Sequence, residues 1–253
     1  MDGLKGKKAL VTGGSKGLGF AIAQALAAEG CSLCLVARDS AVLDAAKQKI
    51  VDSHGVDVVV RAEDLSSPER ASALGAAFPD TDILVNCAGA IGRGSLMELD
   101  PDAFRAAFDG KVMSTIMLTR ALYPHMCGRQ SGVIVNIIGI AGERLNPKSI
   151  GTTTANAALI AFTKALGAES VDHGVRVVGV NPGLMRTDRT AGLLNPKTEQ
   201  DRTAYAALLK NLPYGRMGEP GEVAAAAVFL ASDSAKYISG EVLAVDAGSR
   251  FRM

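Results

Sequence analysis

The chain has 253 residues, 27 Lys and Arg against 26 Asp and Glu, and a net charge of +1. Hydrophobic residues make up 48% and charged residues 21%, which excludes a disordered chain. The balanced charge leaves no electrostatic footprint for nucleic acid or an anionic membrane surface, and no apolar stretch approaches the roughly 18 residues of a membrane span.

Residues 1–8 run straight into an apolar strand, Ala9-Leu10-Val11, without the apolar core of a signal peptide. A helix is expected over 20–28, closed by Gly30, then a strand over 33–36 and a helix over 41–50. Further strands are expected over 58–60, 83–85, 133–138, 175–180 and 242–245, and helices over 102–122, 152–171 and 220–231. Val133-Ile134-Val135-Asn136-Ile137-Ile138 shows little polar alternation, as for a strand buried on both faces. Strand–helix alternation along the whole chain predicts an α/β fold, a doubly wound parallel sheet in a single domain over 1–253. In such sheets ligands bind beyond the carboxyl ends of the strands. Four cysteines (Cys31, Cys34, Cys87, Cys127) make no disulfide framework in a chain this long and point to a reducing, cytoplasmic setting. Cys31 and Cys34 have redox-motif spacing, but on a strand residues three apart face opposite sides. His54, His125 and His173 are scattered, so no metal site is expected.

After the first strand comes Thr12-Gly13-Gly14-Ser15-Lys16-Gly17-Leu18-Gly19. Glycines at a strand–helix turn let backbone N–H groups approach a pyrophosphate at the helix N-terminus. The spacing is TGxxxGxG, and here the chain resembles the short-chain dehydrogenase/reductase family. Asn86-Cys87-Ala88-Gly89 resembles that family's NNAG element, and Asn181-Pro182-Gly183-Leu184-Met185-Arg186-Thr187 its NPGxxxT segment. Gly215-Arg216-Met217-Gly218-Glu219-Pro220 and Val245-Asp246-Ala247-Gly248 resemble its last third. The resemblance implies a Rossmann-type, three-layer α/β/α domain that is both dinucleotide-binding and catalytic. It places Gly13, Ser15, Lys16, Gly17, Leu18, Gly19, Asn86, Ala88, Gly89, Pro182, Gly183 and Thr187 around a nicotinamide cofactor, with Asp64 and Leu65 at the adenine. NAD-preferring relatives end the second strand with an acid. Here that position is Ala37 and Arg38 follows. A guanidinium holds a 2′-phosphate by paired charge-assisted hydrogen bonds, and Lys16 adds a second cation, so NADP is expected over NAD. Asp39, one residue further on, is an acid that could still reach a ribose.

The same resemblance implies an Asn-Ser-Tyr-Lys catalytic tetrad, and none of the four types stands at its matching position. Gly139 takes the Ser position, Thr152 the Tyr position, Asn156 the Lys position and Lys111 the Asn position. The four tyrosines are Tyr123, Tyr205, Tyr214 and Tyr237, so no shift of register between 139 and 165 restores one. Thr152 and Asn156 could hold a relay water, and Asn156 could bind the nicotinamide ribose. Lys111, if held in a dry pocket, could serve as acid or base. Its alternative is a surface lysine.

Residues 186–212 are long for a connecting loop and correspond to a substrate lid in relatives, where Leu193, Leu194, Leu208 and Leu209 would either meet an apolar part of a substrate or pack the lid itself. Arg144 and Lys148 precede the helix over 152–171, and could meet an anionic substrate or only solvent. Three functions fit: an NADP(H)-dependent oxidoreductase on a small-molecule carbonyl/alcohol pair with a rearranged proton relay; an inactive NADP(H)-binding sensor or oligomer partner; or a lyase or isomerase with Lys111 as base. The resemblance also implies a homodimer or homotetramer paired through the helices over 102–122 and 152–171, the second bearing Ala157, Ala158, Ala161 and Ala165.

Overall fold

The computed structural model describes residues 1–89, 91–92, 94–194 and 197–252, and the side chain of Leu194 lies outside what is described. In chain order the first half comprises β1 (Lys8–Thr12), α1 (Gly17–Ala28), β2 (Ser32–Ala37), α2 (Ser40–His54), β3 (Val58–Ala62), α3 (Pro68–Ala77), β4 (Ile83–Asn86), α4 (Pro101–Phe108) and α5 (Ser114–Arg129). The second half comprises β5 (Gly132–Ile137), α6 (Ile150–Glu169), β6 (Val175–Pro182), α7 (Ala191–Leu194), α8 (Glu199–Asn211), α9 (Pro220–Ala231) and β7 (Val242–Val245). The seven strands form one parallel sheet in the order β3-β2-β1-β4-β5-β6-β7. This is the doubly wound, three-layer α/β/α sheet that the alternation predicts.

Adjacent strand residues feed different cores, which explains why the central strands lack polar alternation. Val11, Leu35, Val85 and Val178 pack on one face with Ile22 and Leu26 of α1 and Val223 and Val228 of α9. Leu10, Leu84, Ile134 and Val177 pack on the other with Leu74 of α3 and Leu118 and Leu122 of α5. A third cluster, Val112, Ile138, Ala155, Leu159 and Val242, lies under α6. Cys31 and Cys34 fall in opposite cores, and burial pushes their thiols up to about 11 and about 12. The redox spacing therefore brings no thiol pair together. Among the described residues no helix is long and apolar enough to cross a membrane.

The expected single helix over 102–122 is three segments: α4, a π-helical turn over Asp109–Met113, and α5, which continues through Pro124 to Arg129. A π turn holds one extra residue, so the apolar period drifts without a break in the sequence pattern. The Ser114 and Thr115 hydroxyls donate to the carbonyls of Gly110 and Lys111 in this wide turn. α3 has no counterpart in the expected elements, although Ser67-Pro68 is a recognisable start: the Ser67 hydroxyl accepts from Arg70 N and Pro68 takes the first helical position. The lid over 186–212 contains a 3-10 turn over Asp188–Thr190, then α7 and α8. α8 opens on a Thr198–Asp201 capping box, and positions 195 and 196 lie outside the described residues.

Candidate active site

The chain order turns back between β1 and β4, and the loops that follow these two strands face one cleft. Thr12 ties them together. Its hydroxyl oxygen accepts from Cys87 N at 2.9 Å and Ala88 N at 3.1 Å, and donates to Val85 O at 3.4 Å. Within the glycine loop, a Cβ on Gly19 would strike the Gly13 carbonyl and one on Gly13 would come 3.0 Å from Cys87 O. Only glycines allow that approach. Lys16 is the N-cap of α1 but gives no side-chain cap, and no acid lies in the first turn. Among the described residues the leading N–H groups of the helix thus have no side-chain acceptor, which suits an anion. Ser15 and Leu18 sit half-buried in the same loop. Across the cleft, Thr187 packs 3.8 Å from where a Cβ on Gly17 would lie.

Arg38, just past β2, and Lys16, in the glycine loop, are exposed, and neither forms an ion pair with the described residues. Asp39 is the N-cap of α2, accepting from Val42 N at 3.1 Å, so the acid next to Arg38 has a structural task. Asp64 accepts from Ser66 N at 3.1 Å; hydrogen bonds from Ser66, with smaller help from Arg38 and Arg70, hold its carboxyl below the usual carboxylate range. Leu65 beside it is buried.

Asn86 stands at the end of β4, but its carboxamide turns into the helix layer. Its Nδ2 donates to Asn136 Oδ1 at 2.9 Å and Thr119 Oγ1 at 3.3 Å, and Asn136 donates on to Thr163 Oγ1 at 2.9 Å. Asn86 Oδ1 is buried without a hydrogen-bond partner among the described residues. Gly89 lies directly on the π turn: a Cβ there would come within 2.6 Å of Gly110 O and 2.7 Å of the Lys111 Cα. Half-buried Ala88 joins these two contacts.

Lys111 is buried at 8% exposure rather than lying on the helix surface. Its Nζ donates to Asn156 Oδ1 at 2.5 Å and to Ile138 O at 3.0 Å. Asn156 is fixed in turn by its Nδ2, which donates to Gly139 O at 3.2 Å. Gly139 has φ +125°, a conformation that side-chain-bearing residues rarely adopt, and a Cβ would come 3.0 Å from Asn156 Nδ2. Burial brings the Lys111 ammonium down to about 8, with the nearby Arg189 guanidinium adding to the effect. The same two cations oppose the burial that raises the Cys87 thiol to about 11. Thr152, one turn before Asn156 on α6, donates its hydroxyl to Ile91 O at 3.2 Å and Gly92 O at 3.4 Å. Pro182 ends β6, and the next residue, Gly183, donates from N to Val245 O at 2.9 Å. Arg144 and Lys148 are exposed, and the Lys148 carbonyl accepts from Gly94 N at 3.1 Å.

The structure therefore brings Lys111, Asn156 and Gly139 into one hydrogen-bonded unit and leaves Thr152 bonded to the loop after β4. Sequence reasoning missed Arg189. Its position two residues beyond Thr187 was the available signal. It also missed Asn181, whose Oδ1 accepts from Gly139 N at 3.2 Å.

A family model described as enoyl-(acyl carrier protein) reductase matches residues 13–250. The 3-oxoacyl-(acyl-carrier-protein) reductase FabG of Chlamydia muridarum is 36% identical over 250 residues, 97% of this chain and 98% of that protein. The galactitol 2-dehydrogenase (L-tagatose-forming) of Cereibacter sphaeroides is 34% identical over 97% of this chain and 95% of its own length. Among solved structures, the L-sorbose reductase of Gluconobacter frateurii, complexed with NADPH and L-sorbose, superposes with a TM-score of 0.91 at 32% identity over the whole of both chains. The glycine loop, the parallel sheet with its switch point and these full-length matches lead to one conclusion: the chain belongs to the short-chain dehydrogenase/reductase family.

Proposed function

We propose that the chain is an NADP(H)-dependent oxidoreductase acting on a small carbonyl/alcohol pair, with the Lys111 amine moving the proton that a tyrosine moves in typical relatives. The observation that carries this reading is Lys111 Nζ, buried and held between Ile138 O and Asn156 Oδ1 at the end of β5. The glycine loop and α1 N-terminus fit a pyrophosphate, and exposed Arg38 and Lys16 fit a 2′-phosphate. The NADPH complex of the sorbose reductase supports the same cofactor. Bound there, NADP(H) supplies or accepts the hydride.

The protein's own part is proton transfer and orientation. In reduction the Lys111 ammonium gives a proton to the substrate oxygen. In oxidation the neutral amine takes it. An ammonium titrating near 8 serves both directions close to neutrality. Asn156 presents its carbonyl oxygen to Nζ, and Gly139 leaves the room that the Asn156 amide needs. Exposed Leu96, Met97 and Leu145 near the Gly94–Ser149 bridge suit a substrate with an apolar part. A second reading, a non-redox NADP(H)-binding protein, draws support from Thr152, whose hydroxyl is turned to Ile91 and Gly92. Fluorescence titration with NADPH and NADH, followed by turnover on ketones and alcohols, separates the two. The oxidoreductase reading expects tighter NADPH binding and loss of nicotinamide absorbance with at least one carbonyl. Tight binding with no turnover on the whole panel favours the second.

A further inference from the structure

We propose that Glu143, Asn181 and Arg250 form a positioning relay that fixes the Gly139 peptide and, through it, the Asn156–Lys111 pair. The proposal rests on the reading of Lys111 as the proton-transfer group.

Gly139 has no side chain to anchor it, yet both of its peptide groups carry the site's geometry. Its carbonyl holds Asn156, and its N–H donates to Asn181 Oδ1. A carboxamide offers a donor face and an acceptor face, and only the acceptor face serves Gly139 N. Glu143 settles which face that is. Its Oε1 accepts from Asn181 Nδ2 at 2.6 Å, and a carboxylate accepts only, so the Asn181 oxygen is left facing Gly139. Asn181 is fully buried, so water does not offer an alternative partner.

Glu143 is itself held by charge. Its Oε2 lies 3.2 Å from Arg250 Nε, and Arg250, 23% exposed at its side chain, also faces buried Asp246 at 3.7 Å. The Arg250 backbone N donates to Asp246 Oδ2 at 2.9 Å, so the segment after β7 presents this guanidinium in a set position. Among the described residues Arg250 Nε and Nη1 are buried without a hydrogen-bond partner, and they face Glu143 and Asp246 as charges. Four links thus join Arg250 to Asn156, which holds Lys111. Glu143 and Arg250 lie outside the matched motifs, and Asn181 opens the NPGxxxT segment. They touch no reacting atom; they act through Gly139.

The test compares Glu143→Ala with Glu143→Gln in the full-length protein, with Arg250→Met as a second break further out. NADPH binding by fluorescence and the melting curve report whether the fold is kept. The readouts are kcat for the carbonyl substrate and the titration midpoint of Lys111, followed by NMR of protein labelled at the lysine ε-carbon and assigned with Lys111→Met. Glu143→Ala is expected to lower kcat about 10-fold or more, because misplacement of a reacting group by a fraction of an ångström is costly. It should also lower the Lys111 midpoint, since the ammonium loses a positioned acceptor, while NADPH affinity holds. Glu143→Gln keeps an acceptor for Asn181 but loses the charge that Arg250 holds, so both readouts should fall between those of the parent and Glu143→Ala. Arg250→Met should move both in the same direction as Glu143→Ala. Equal loss in the Ala and Gln variants would overturn the relay, because the acceptor that orients Asn181 would then contribute nothing. So would an unmoved Lys111 midpoint in Glu143→Ala. A midpoint that moves as expected in a protein that turns over no substrate would uphold the relay and reject the oxidoreductase reading.

Discussion

Lys111 sits where water scarcely reaches, and its charged form pays for that position. The folded ammonium titrates near 8 against 10.5 for a free lysine. Between those two values the unfolded chain binds the proton and the folded chain does not, so this group adds stability as pH rises from about 8 to about 10. Buried thiols act oppositely above pH 9, so the comparison that isolates Lys111 is with Lys111→Met. The parent's melting temperature should gain on that of the variant through this window; parallel curves would place the ammonium in water. Gly139 makes a second residue-scale prediction. A side chain there meets both φ +125° and the Asn156 amide, so Gly139→Ser should lower stability by about 1–3 kcal/mol in denaturant melts rather than restore a family serine. Arg38→Ala should weaken NADPH binding about 10–100-fold and spare NADH, as expected for a lost charged hydrogen bond. Equal weakening of both would remove the 2′-phosphate assignment.

At the scale of elements, the site depends on strand ends being tied to one another. Thr12 closes β1 onto the loop after β4 by accepting from two backbone N–H groups. Thr12→Val keeps the shape and removes the acceptor, which should cost about 1–3 kcal/mol and loosen the cofactor cleft. An unchanged melt would show that those N–H groups find other partners. The central strands were readable because burial on both faces leaves continuous apolar runs, whereas α3, short and mostly polar at its start, was not. The π turn was not readable: one extra residue in a helix leaves no composition signal, yet it carries Lys111 into the cleft. The Lys111–Asn156 contact was equally hidden, since the two are 45 positions apart and meet only when the π turn packs against α6. Each residue was legible as a candidate, but their pairing was not. Asn86 ran the other way. Its motif pointed to the cleft, while its carboxamide bonds across the sheet interior.

For the whole molecule, a scaffold of the short-chain dehydrogenase/reductase family surrounds the Lys111–Asn156–Gly139 unit. The outer side of α6 exposes Ala157, Ala161, Ala165 and Ala168, small residues that let a second helix come close. We predict a homodimer or homotetramer by sedimentation, and dissociation on Ala161→Arg; a monomeric parent would contradict this. The central claim is that Lys111 moves the proton during NADPH-dependent reduction. Its most direct test is the pH dependence of NADPH consumption with a reducible carbonyl substrate, for the parent and for Lys111→Met. The parent's rate should fall as pH rises through about 8, as the ammonium is lost. The variant should lose that limb and about 10²–10⁴-fold of the rate while still binding NADPH. An identical profile and rate in the variant would contradict the account.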